Sequence, residues 1–158
     1  MIKNQHGASA VVLAITLVTL LGIAALGIDI GYLYATRNRL QNIADAAALA
    51  ATRQLGAIYQ TLTTAQQQTY VCDPTTIIPV ALEVALKNRA AQVNIVIDAG
   101  DVVIGTWDGS TLTPTLNQPD AVSVLARRDS STNGPVTTFF AAIFKIFAMP
   151  VIADDSGL

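Results

Sequence analysis

Few side chains in this sequence of 158 residues can do covalent or metal chemistry. The single histidine, His6, stands in a short N-terminal leader, so no Ser-His-Asp set and no histidine-based metal site can be built in the body. Cys72 is the only cysteine. It has no candidate base to activate it and no intrachain disulfide partner, which leaves an unpaired thiol or a bond to another chain. Asp98, Asp101 and Asp108 cluster in sequence, but not in the order of a calcium loop, and the glycines form no phosphate loop. The expectation is a protein without catalytic residues, metal or cofactor. Net charge is −2 with a pI near 5.1 and no basic run, which excludes nucleic acid as an expected partner.

The remaining residues of interest are defined by where they stand. Ala8–Ile28 reads ASAVVLAITLVTLLGIAALGI, without a charge. As a helix it is roughly 30 Å long, the thickness of a bilayer's hydrocarbon core. Residues 1–7 form the leader, and Lys3 gives them the mild positive charge of an exported segment's flank. Three readings are open for this region: a cleaved secretory signal, a retained signal-anchor, and a segment cut between Gly7 and Ala8 by a prepilin-type peptidase. Such a peptidase cuts after a glycine just before the apolar stretch. The glutamate that pilins usually carry at the fifth position after the cut is here Val12. The predicted topology is single-pass, with the N-terminus in the cytoplasm and the body outside the inner membrane.

Beyond the span, residues 29–67 continue without proline. Leu33, Leu40, Ile43, Ala47, Ala51, Leu55, Ile58 and Leu62 recur at helical spacing, which predicts one helix from about Ser9 to Gln67, roughly 90 Å long. Tyr32 and Tyr34 fall at the expected membrane–water interface. Gly27 and Gly31 make a G-x-x-x-G, and Ala44, Ala47, Ala48 and Ala51 continue the small-residue stripe; helix backbones approach closely at such positions. Alanine is also the strongest helix former, so the same stripe serves helicity alone. Asp29, at the end of the span, either bonds to a neighbouring subunit or basic partner, or marks the bilayer edge. Asp45 is expected to be solvated or in polar contact with the head.

Residues 75–158 are predicted to form a small α+β head. Tyr70–Pro74 breaks the long helix, and Thr75-Thr76 is the expected cap of a second one from about Ile78 to Ala91. Val93–Ile97 and Val102–Trp107 then read as a hairpin joined by Asp98–Asp101. Leu112–Asp120 is read as a loop. Ala121–Arg128 is a strand with Val122, Val124 and Ala126 toward the core. Pro135–Phe147 reads as an apolar helix, for core packing or for an interfacial or subunit contact, and Val151–Ala153 as an edge strand.

The order D-x-G-x-L-Y-x-x-R-x-x-L-Q-x-x-A-D-A-A-A-L-A-A from Asp29 to Ala51, joined to the preceding span, resembles the N-terminal module of the TadE/TadG-like family. G-T-W-D at Gly105–Asp108, A-V-S-V-L-A-R-R at Ala121–Arg128 and N-G-P-V-x-T-F-F-A at Asn133–Ala141 are similar to short Tad-domain proteins. The family is associated with tight-adherence (Flp) pilus assembly. The resemblance implies a membrane anchor and an association with Tad/Flp pilus assembly. The span that passes into a long amphipathic helix, with an α+β head, has by itself the shape of a pilin-like ladle. Its helix is expected to pack with the lipid bilayer, with like subunits and with assembly machinery, while the head decorates the outside. Long TadG-type members carry a von Willebrand A-like domain. Here Asp129–Asn133 reads D-S-S-T-N and lacks the D-x-S-x-S order, so no metal-dependent adhesion is implied. The alternative reading is a secreted, non-enzymatic binding module freed from its signal.

Overall fold

The computed structural model describes residues 6–140 and 151–154. Helix α1 runs without interruption over His6–Thr61, 56 residues, roughly 84 Å at 1.5 Å per residue. The Gly27-Ile-Asp-Ile-Gly31 junction is helical throughout, so the apolar and alanine-rich parts form one rod.

The rod stops earlier than the periodicity predicts. Thr63 is extended and starts a separate short helix, α2 (Thr64–Gln67). Its hydroxyl accepts from the Gln66 amide at 3.4 Å, while the Thr63 amide donates to Gln66 Oε1 at 2.9 Å. This capping box satisfies amides that a continuing helix would use otherwise, so the expectation of one helix to Gln67 is corrected.

Helix α3 spans Pro74–Leu86, displaced from the predicted 78–91. Asp73, not Thr75-Thr76, is its cap: Oδ1 accepts from the Thr75 amide at 2.9 Å and hydroxyl at 2.7 Å. Pro74 takes the first helical position, where a missing N–H costs nothing. One face of α3, Ile77, Ala81 and Ala85, is fully buried, a cleaner stripe than the larger residues between them suggest.

The predicted hairpin of residues 93–97 with 102–107 does not form. Instead β1 (Arg89–Ala90) pairs antiparallel with β2 (Val93–Asn94) around Ala91 and Gln92, both at positive φ. Val96 finds a side chain in place of a strand: Asn133 accepts from its amide at 2.8 Å and donates back to its carbonyl at 2.7 Å. Ile95 and Ile97 are nevertheless buried. Asp98 leads into a 3₁₀ turn at Ala99–Asp101 rather than a hairpin loop.

Strand β3 (Val102–Trp107) pairs with β4 (Leu112–Pro114), inside the stretch expected to be a loop, and with β5 (Ala121–Arg128). Asp108 closes the β3–β4 turn by accepting from the Ser110 and Thr111 amides at 2.8 and 2.7 Å, in keeping with Asp108-Gly109 as a turn signal. Strand β6 (Val151–Asp154) lies on the other side of β5, as an edge strand, giving the antiparallel order β4-β3-β5-β6. The predicted core face of β5 holds: Val122, Val124 and Ala126 are buried beside Val102 and Ile104 of β3. The head, with α3 and this sheet, is α+β as expected, and α1 packs against both its α3 and its β5.

Of the predicted helix over 135–147, residues 135–138 are not helical; a helical turn begins at Phe139–Phe140, and 141–147 lie outside the described residues.

Candidate functional site

The site with the clearest build is the part of α1 where it leaves the apolar span. Below it, from Val11 to Ile30, every large apolar side chain is at least half exposed; Ala25 and Asp29 are the buried positions of residues 21–30. The two threonines of this stretch satisfy their hydroxyls within the helix, Thr16 to the Val12 carbonyl at 2.9 Å and Thr19 to that of Ile15 at 2.8 Å. No bare polar group from either therefore faces outward. Among the described residues this is the one helix long and apolar enough to cross a membrane. Gly7 and Ala8, the candidate processing pair, are exposed in its first turns.

Asp29 is 6% exposed and faces the head. Its Oδ1 accepts from the Phe139 amide at 3.0 Å and the Phe140 amide at 3.2 Å, and Oδ2 from Phe140 at 3.1 Å. These amides open a helical turn and have no carbonyl one turn back to bond, so a carboxylate is their natural acceptor. Asp29 thus has an acceptor role inside its own chain, across 110 residues of sequence. Neither the subunit contact nor the bilayer-edge reading anticipated this partner, and no local pattern near Asp29 signals it.

Gly27 and Gly31 lie on the opposite face. At 100° per residue they are about 40° apart and some 160–200° from Asp29. Both are exposed, and a Cβ at either meets nothing within 4 Å. The alanines behave differently. Ala44, Ala47 and Ala51 are 0% exposed and Ala48 5%, packed in one core with Leu40, Leu55 and the buried face of α3. The candidate assembly residues therefore divide into an open glycine face and an alanine seam under the head. Asp45 is half-buried and accepts from Gln41 Nε2 at 2.8 Å on its own helix.

Sequence reasoning also missed Arg128. It continues the inward-facing set of β5 and is 6% exposed. Its guanidinium donates to the carbonyls of Gly134, Ala90, Ala91 and Pro135 at 3.1–3.4 Å. Burial pulls its pKa down from the ordinary arginine value. The residue ties the β1–β2 turn to the loop that leads to Phe139, and so helps to place the amides that Asp29 receives. A second cluster, near the same end of β5, gathers Asp98, Asp101 and Asp129 around Arg127 at 3.6, 3.0 and 3.7 Å. Burial raises the Asp101 carboxyl against the opposing pull of Arg127. No group of metal-ligating side chains is found among the described residues. Cys72 is free and buried, and burial pushes its thiol up, which makes it a poor nucleophile.

Comparison with curated proteins and with solved structures finds no match. Over residues 7–67, which take in α1 from its second residue and all of α2, the chain matches the family Tad, described as "Putative Flp pilus-assembly TadE/G-like", the family its N-terminal motif resembles.

Proposed function

We propose that this protein is a membrane-anchored, pilin-like structural component of a Tad (Flp) pilus or secretion assembly. Ala8–Ile28 would cross the bacterial inner membrane once, with the N-terminus in the cytoplasm and the head outside. Assembly, not catalysis, would be its work: the lower half of α1 packs with lipid, like subunits or assembly machinery, through the open face carrying Gly27 and Gly31. The candidate cut between Gly7 and Ala8 would release the rod's lower end for incorporation into a filament.

The observation that carries this reading is the continuity of α1. A signal-anchor needs only a span. Here the span passes unbroken into a helix that the head covers on one side, an arrangement suited to a subunit whose stem packs in a shared core. The Tad match over 7–67 supports the same reading.

The test is the state of the protein in its native membrane. The expected result is a chain that resists carbonate extraction, partitions with lipid and crosslinks to itself or to pilin-like subunits through cysteines at Gly27 or Gly31. Recovery of the body as a soluble monomer beginning after Gly27 would overturn the proposal and favour the secreted module. N-terminal sequencing distinguishes a start at Met1 from one at Ala8, and electron microscopy of sheared surface material separates a filament subunit from an accessory protein.

A further inference from the structure

We propose that the head makes its own contact with the bilayer: the Phe139–Phe140 turn inserts into the lipid interface, and Asp29 is the clamp that holds it at that depth. This rests on the reading of Ala8–Ile28 as the membrane span.

Position supplies the first argument. From Ala8 to Asp29 the helix rises about 32 Å, so the Asp29 carboxylate emerges where the hydrocarbon ends. Through three hydrogen bonds to the Phe139 and Phe140 amides, it fixes that turn at the same level. A carboxylate in this zone is costly unless paired, and these amides pair it.

Chemistry supplies the second. Phe139 is 74% exposed, the most exposed of the large apolar side chains in the described residues. Its ring meets Phe140 edge to face at 5.2 Å. It borders a cleft lined also by Ile28, Asp29, Tyr32, Gln92, Thr137 and Thr138, which places it beside the end of the span. The sequence that follows, F-F-A-A-I-F-K-I-F over 139–147, holds one charge, Lys145. An exposed aromatic side chain beside the end of a membrane helix and next to its Tyr32 fits the acyl–headgroup boundary, where aromatic rings concentrate. A water-facing location would leave the same ring bare.

The experiment uses the full chain in vesicles of phosphatidylethanolamine and phosphatidylglycerol, with an environment-sensitive fluorophore on single cysteines placed at Val18, Phe139 or Gln60. Cys72 stays in place, because its buried thiol does not label in the folded protein. Lipids carrying a quencher in the upper acyl chain are the probe. Val18 reports the span, and Gln60, exposed near the far end of α1, reports water. The expected result is quenching at Phe139 several-fold above that at Gln60. Asp29→Ala is expected to cut the Phe139 signal at least by half with Val18 unchanged, and Asp29→Asn, which keeps an acceptor oxygen, to restore part of it; Trp107 fluorescence verifies that each head is folded. Quenching at Phe139 equal to that at Gln60, with Val18 quenched, overturns this inference and leaves the anchor standing. So does a Phe139 signal that a folded Asp29→Ala head leaves unmoved, or a Phe139 probe shielded from both lipid and aqueous quenchers, which would mean that a second copy covers it. An unquenched Val18 overturns the anchor itself.

Discussion

Replacing Ala47 with leucine tests whether the alanine seam belongs inside the chain. Ala44, Ala47 and Ala51 on α1 are fully buried, as are Ile77, Ala81 and Ala85 on α3, so the added carbons have no solvent to enter. Overpacking of this kind costs about 1–3 kcal/mol, because neighbouring side chains and backbone must shift. For a head of this size about 2 kcal/mol lowers Tm by roughly 8–16 °C. The assay is thermal unfolding of the monomer in detergent micelles, followed through Trp107, the only tryptophan. Leu49→Ala is the control: it sits two residues further along the same helix, 72% exposed, and is expected to change stability by less than about 0.5 kcal/mol. An Ala47→Leu head that melts with the parent protein, while self-association in membranes is lost, would refute the reasoning and move the seam to an interface between chains.

Gly105→Ala is expected to destabilise the head by about 1–3 kcal/mol in urea unfolding, because its Cβ would collide with the Thr113 backbone carbonyl on the paired strand β4. Arg128→Met strands four carbonyls and is expected to cost more than about 2 kcal/mol, with Arg128→Lys recovering only part, since an ammonium cannot reproduce the guanidinium fork; urea midpoints measure both. Asp73, Asp108 and Asp129 are held below the usual carboxylate range, chiefly by hydrogen bonds from Thr75, from Thr111 and Ser110, and from Ser131 and Thr132 respectively. A depressed folded pKa means that their stabilisation is present above the unfolded value near about 3.9 and is lost as pH falls through the folded one. Asp101, whose carboxyl is raised by burial, works in the opposite sense. The net expectation is a Tm nearly flat from pH 7 to 5 and falling below about pH 4, with Asp73→Asn flattening the fall.

The local patterns that survived are those whose cause is local. An uncharged stretch of bilayer length and an alanine-rich continuation make α1 wherever the rest of the chain goes, and alternation along Ala121–Arg128 sets the faces of β5. Even the misplaced boundaries had local causes present in the sequence: Thr63-x-x-Gln66 as a capping box, and Asp73-Pro74 as cap and first helical residue. Strand partners were different. Val102–Trp107 has β potential in any arrangement, but β4 and β5 were chosen as its neighbours by the long-range register, while Val96 bonds to the Asn133 side chain instead of a strand. The small-residue stripe likewise said that something packs closely, and only the head's position showed that α3 lies over the alanines while Gly27 and Gly31 stay open. Asp29 marks the boundary most sharply. Its place at the end of the span is written in 21 neighbouring residues, whereas its partners lie 110 residues away and their amides become available only when the chain folds back and starts a helical turn beside it.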